Sequence, residues 1–133
     1  MASQFVEETY TKGHMMRVMA VDTLIVIIGV VMAASPFVER AFPGNFDTTV
    51  HVAVGALIAT CALFRVAIAY GSLWLEVVIF ALGLIVLSLP RLEHMQWNET
   101  YNMVHLAAGG GAMALAAISA LITIPVLKKQ AAA

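Results

Sequence analysis

Charge is what this chain has least of. Asp, Glu, Lys and Arg make up 11% of its 133 residues and hydrophobic types 62%, against about 25% and about 45–50% in ordinary globular domains. A soluble domain of this size cannot hide so much apolar surface, and the solvent that suits it is a lipid bilayer. The net charge of −1 supplies no basic face for nucleic acid. A single cysteine, Cys61, excludes an intramolecular disulfide framework and any CxxC metal site. Cys61 lies in an apolar run and is expected to pack as a small hydrophobe. Missing too are a Gly-rich phosphate loop, a GxSxG elbow and a Ser/His/Asp set at workable spacing. No enzyme, small-molecule substrate or metal site is expected. Strict apolar/polar alternation is also lacking, which removes the membrane β-barrel.

What the chain does have is long apolar runs. Four approach the roughly 20 residues that a spanning helix needs: Val18 to Val38, Thr48 to Ala69, Ser72 to Leu89 and Met103 to Leu127. In lipid each backbone polar group must be satisfied within its own segment, so all four are read as helices. GNFD (Gly44 to Asp47), AYGS (Ala69 to Ser72) and MQWNET (Met95 to Thr100) separate them. Asp47 and Asn98 are candidate caps for the helices that follow. The expected fold is all-α, a multi-pass bundle of four transmembrane helices. Residues 1–17 form an N-terminal tail, 18–70 a first hairpin, 71–127 a second and 128–133 a C-terminal tail. The polar to amphipathic N-terminal tail is expected on the membrane surface or against a partner.

Lys and Arg bias orients the bundle. Lys12, Arg17, Arg65, Lys128 and Lys129 gather on one side, Arg40 and Arg91 on the other, which predicts cytoplasmic termini in a bacterial inner membrane. Trp97, Tyr101, Phe42 and Phe46 then fall at the outer interface, Tyr70 and Trp74 at the inner one. VVMAAS offers small residues for signal cleavage, but Glu7, Glu8 and Asp22 precede it and the repeat described next needs the first span, so the span is expected to stay.

VHVAVG begins at Val50, and a near copy, VHLAAG, begins 54 residues later at Val104. The register extends without a gap from Asp22 to Ile122. It pairs Gly29 with Gly83, Pro36 with Pro90, Glu39 with Glu93, His51 with His105, Gly55 with Gly109 and Asp22 with Glu76. The chain reads as an internal duplication of a two-helix hairpin. Two spans return it to its starting side, so the copies are tandem repeats of the same orientation, related by an axis along the membrane normal.

A helix ending in Ser35-Pro36-Phe37, a polar loop, then a helix opening with His51 and containing Gly55 resembles the SPW-repeat family of small bacterial membrane proteins. The second copy reads Ser88-Leu89-Pro90 and departs from the Ser-Pro-Trp tripeptide, while Trp97-Asn98 is similar to the family's tryptophan-asparagine. The resemblance implies a four-helix, two-repeat membrane fold and little about function.

Three residue sets invite chemistry. His51 and His105 share one depth, roughly one turn below the outer surface. Two such imidazoles are candidate axial ligands for a haem b, or either one for a chlorophyll-type pigment. Ala53, Gly55, Ala107 and Gly109 are then the room for a flat ring. The simpler reading is a hydrogen bond to a neighbouring helix, and no cofactor is the leading expectation. Against pigment, the positions four residues earlier hold Asp47 and Tyr101 in place of alanine. Second, Asp22, Arg65 and Glu76 are an intramembrane charge set. A proton relay would continue across the bilayer, yet the middle of each span is apolar but for Thr60 and Cys61, so an Arg65 ion pair is the simpler reading. Third, Gly55-xxx-Ala59, Ala107-xxx-Gly111 and Gly110-xxx-Ala114 let helices approach closely. With Gly109 they predict a tight contact between the second and fourth helices and a spare small-residue face. Glu39, Arg40, Glu93, His94 and Glu99 lack metal-ligand spacing and read as solvated loop residues. The expected function is a non-enzymatic accessory or assembly subunit. Its partners would be the lipid bilayer and other membrane subunits of a respiratory or photosynthetic complex.

Overall fold

The computed structural model describes residues 2–38, 45–67, 72–92 and 99–132. They form four helices: α1 (Ala2–Val38), α2 (Asn45–Ala67), α3 (Leu73–Leu92) and α4 (Glu99–Ala132). Three contain stretches long and apolar enough to cross a membrane, Lys12–Phe37, Thr48–Ala67 and Asn102–Lys129, and Leu73–Leu89 is a shorter apolar helix. Over the described residues the chain is an all-helical, four-helix membrane protein.

α1 is longer than its apolar span. The segment before Val18 continues the helix back to Ala2; it holds no proline and includes the good helix formers Glu7, Glu8, Lys12, Met15, Met16 and Arg17, with Gly13 its least favourable residue. At 1.5 Å per residue α1 is about 55 Å long and α4 about 51 Å, so both extend past a hydrocarbon core of about 30 Å. α2 begins two residues earlier than its expected cap, at Asn45, so Asp47 lies inside the first turn. Ser72 directly precedes α3, in the position a capping hydroxyl takes. Asn98, Trp97, Phe42, Tyr70, Glu39, Arg40, Glu93 and His94 lie outside the described residues. Trp74, at the start of α3, is exposed.

Around the bundle the helices follow chain order. α1 packs on α2 and α3 on α4, with α1 also against α4 and α2 against α3. Among the described residues α2 and α4 are diagonal and their backbones do not approach. The expected tight α2–α4 contact is therefore corrected: the closest helix approaches lie within each hairpin. A Cβ built on Gly29 would lie 2.6 Å from the backbone N of Ala59, and one on Gly55 would lie 2.6 Å from that of Ala33. The second hairpin repeats this contact through Gly83 and Gly109, each of whose added Cβ atoms would fall within 3 Å of the other's carbonyl oxygen. Lipid tails are as apolar as leucine, so close dispersion contact of this kind is what draws membrane helices together.

The centre obeys the 54-residue register. The buried apolar core comprises Ile25 with Ile79, Met32 with Val86, Ile58 with Ala112, and Ala62 with Ala116, each pair one repeat apart. Leu24, Ile27, Val31, Leu57, Leu63, Leu84, Leu106 and Leu121 face outward and exposed. The buried polar groups face the axis together with this apolar core, and the outward face is large and apolar, as suits a lipid solvent.

The Ser-Pro step has a local use. Pro36 has no N–H for the carbonyl of Met32, four residues back. The hydroxyl of Ser35 donates to that carbonyl at 2.8 Å. α1 thus carries its proline without leaving an acceptor empty. In α3, Ser88 bonds instead to the carbonyl of Leu84.

Candidate functional site

Two polar layers cross the axis that relates the hairpins. The first, on the loop side, is the histidine pair. α2 and α4 each present a histidine about two turns from the helix start, on the face turned to the diagonal partner. His51 and His105 are both buried. Their Nε2 atoms are 2.6 Å apart and their rings meet edge to face at 88°. One imidazole therefore donates its Nε2 proton to the other, a short hydrogen bond shielded from water. A metal–imidazole bond is about 2.0–2.1 Å, so two axial imidazoles on one metal stand about 4 Å apart. A haem between these rings would have to part them. Gly55 and Gly109 leave no room beside it, since both are filled by backbone of the neighbouring helix. Ala53 and Ala107 are exposed on the outer surface.

The second layer lies on the termini side, about 21 Å further along α2 at 1.5 Å per residue. Arg65 is 0% exposed. Its Nε lies 3.5 Å from Oδ2 of Asp22, its Nη1 pairs with Oε1 of Glu76, and its Nη2 donates to Oγ of Ser119 at 3.1 Å. The four residues come from four helices. Asp22 and Glu76 are one repeat apart, and so are Arg65 and Ser119. The guanidinium thus bridges both acids and reaches the residue that occupies its own position in the second copy. Thr123 hydrogen-bonds to the carbonyl of Ser119 at 2.9 Å and packs into the same end of α4. Oδ1 of Asp22 and Oε2 of Glu76 have no hydrogen-bond partner among the described residues. Between the two layers the axis is apolar, filled by Ile25, Ile58, Ile79, Met32 and Val86.

The structure brings together His51 with His105, and Arg65 with Asp22 and Glu76. It divides the small residues. Gly55, Ala59 and Gly109 are used inside the hairpins, and a Cβ on Gly111 would come within 3.2 Å of Ile28 in α1. Space beside Gly110 is open, and Ala107 and Ala114 are exposed. Ser119 was missed as a site residue, as were Gly29 and Gly83 as packing residues. The signal for all three was the 54-residue register, which pairs Ser119 with Arg65 although their side chains differ.

Paired helices, a repeat-symmetric core and two polar layers on the axis define a membrane bundle built from a duplicated hairpin. The family model of the SPW repeat domain matches residues 19–119, and the chain belongs to that family. No curated protein matches the chain. No solved structure matches it either.

Proposed function

We propose that this protein is a non-enzymatic accessory or assembly subunit of a larger complex, respiratory or photosynthetic, in a bacterial inner membrane. The observation that carries the reading is a smooth strip along α4. Ala107, Gly110, Ala114 and Ala117 recur at spacings of three and four, which places them on one helix face. Ala107, Ala114 and Ala117 are exposed, and an added Cβ on Gly110 meets nothing within 4 Å. Small side chains let a partner helix approach closely, the main route to affinity within lipid. The bundle's own contacts leave this strip unused.

A photo-crosslinking residue at Ala107 or Ala114, tested in native membranes, should yield a discrete adduct of high mass. The same residue at Leu84, exposed on α3, should not. Equal labelling at the three positions, or a strictly monomeric protein with nothing copurifying, rejects the reading. The orientation proposed with it puts both termini in the cytoplasm, on the Lys and Arg bias. Reporter fusions to either end test it.

A second reading, a haem- or pigment-binding electron carrier, draws on the two buried imidazoles facing each other across the axis. It requires the pair to open. An absorption spectrum of gently extracted protein, with and without dithionite, decides it: a redox-sensitive Soret band lost in His51→Ala supports ligation, and protein absorption alone removes it.

A further inference from the structure

We infer that the termini-side end of the seam between α1 and α4 holds the headgroup of an anionic phospholipid, with Arg17, Lys128 and Lys129 as its counter-charges. The two helices pack side by side, and Ile28 shows how they face each other: a Cβ added to Gly111 would lie 3.2 Å from its Cδ1. Arg17 precedes Ile28 by eleven residues, about three full turns, so it stands on the same side of α1. Lys129 follows Gly111 by eighteen residues, about five full turns, and stands on the same side of α4. These two cations flank one seam. Lys128, beside Lys129 in the chain, covers the outward side of α4. All three side chains are exposed.

Depth selects a lipid. The apolar stretches that can cross a membrane begin at Lys12 in α1 and end at Lys129 in α4, so this end of the seam lies where hydrocarbon gives way to headgroups. Arg17 sits about 7.5 Å inside that edge, and its long side chain spans the distance to the boundary. Deeper in, the seam is flanked by Leu24, about two turns from Arg17, and Ile118, about three turns from Lys129. Both are exposed and suit an acyl chain. Charge then selects which lipid. α4 has no acid after Glu99, and Glu7 and Glu8 lie at least one turn beyond Lys12, while Asp22 is buried in the arginine layer. Basic side chains gathered between helices at headgroup level favour anionic lipids. A zwitterionic headgroup would bring its own ammonium against three cations. Free phosphate would find the charge but has no chain for the apolar flanks. Lys12, sixteen residues from Ile28 or about four and a half turns, points to the opposite side of α1 and supplies an equal charge outside the site.

The test uses the full chain in neutral maltoside micelles, titrated separately with dioleoyl phosphatidylglycerol, dioleoyl phosphatidylcholine and inorganic phosphate, reading the thermal unfolding midpoint. A ligand that binds the folded state alone raises that midpoint in a saturable way. The anionic lipid should do so at concentrations at least about tenfold below the zwitterionic one, as expected of several cations beside one headgroup. Inorganic phosphate should leave the midpoint unchanged. Arg17→Gln combined with Lys129→Gln should bring the anionic lipid to the level of the zwitterionic one. Lys12→Gln removes the same kind of charge from the other side of α1 and should keep the preference. All three substitutions fall at exposed positions, where folding is little affected. Equal responses to the two lipids in the parent protein, a response to inorganic phosphate matching that to the anionic lipid, or a preference lost as fully in Lys12→Gln as in the double variant, overturns the proposal.

Discussion

The two hairpins keep the same helix contact and surround it differently. In the first, Gly29 and Gly55 press against each other's helix with Ala59 and Ala33 alongside, so backbone meets backbone. In the second, Gly83 and Gly109 hold the same register, but Met113 and Leu87 stand where the alanines were. The residue before the proline also differs: Ser35 fills the acceptor that Pro36 vacates, whereas Leu89 precedes Pro90 and Ser88, one residue earlier, bonds to Leu84. On the axis the copies diverge in complementary ways. One supplies Arg65, the other the Ser119 oxygen that accepts its hydrogen bond. Duplication preserved the glycines, where a single added carbon would collide, and let side chains that meet across the axis change as partners.

The sharpest way to break this comparison is at the arginine. Arg65→Ser should strand two buried carboxylates and cost about 3–5 kcal/mol, read as loss of the folded form in a denaturant titration in micelles. If the layer is truly two-fold, Arg65→Ser combined with Ser119→Arg should recover most of that loss, because a guanidinium at position 119 meets the same two acids from the other copy. A double variant no better than the single one would show that the layers are not equivalent.

Next come the glycines. Gly55→Ala places a carbon against the backbone of Ala33 and should cost about 1–3 kcal/mol by overpacking. Gly83→Ala should cost somewhat less, since its Cβ would meet Cγ of Met113 at 2.8 Å and the carbonyl oxygen of Gly109 at 2.9 Å, against 2.6 Å to backbone at Gly55. Gly110→Ala should change stability by no more than about 0.5 kcal/mol, as expected of a surface position. Equal penalties at positions 55 and 83 would show the hairpins to be equally tight.

The histidines should behave alike. His51→Ala and His105→Ala each remove one side of the buried imidazole pair, at about 1–3 kcal/mol, and unfolding midpoints of the two variants should agree. A large difference would mean that one ring has the greater structural role. The smallest effect is expected at the serines. Ser35→Ala empties the Met32 acceptor and should cost about 0.5–1.5 kcal/mol. Ser88→Ala should fall within about 0.5 kcal/mol, because Leu84 keeps its ordinary helical partner.

Much of the fold was legible along the chain. Spans follow from runs of apolar residues, and the hairpin repeat from glycine, proline and histidine recurring in phase. The same register places His51 level with His105 and Asp22 level with Glu76, because depth in a bilayer is counted residue by residue along a helix. Family membership rests on this one-dimensional pattern as well. Which helix lies beside which is another matter. Small residues on α2 and α4 pointed to a contact between them, yet those helices are diagonal, and side chains reach across from one to the other at His51 with His105 and Arg65 with Ser119. A glycine declares that something may come close without declaring what. The partner is chosen when four helices compete for the same contacts, and here the loop-linked neighbour took them. Ser119 became part of the charge layer for the same reason: the repeat register pairs it with Arg65, but a serine in an apolar helix shows no role until packing sets it 3.1 Å from a buried guanidinium.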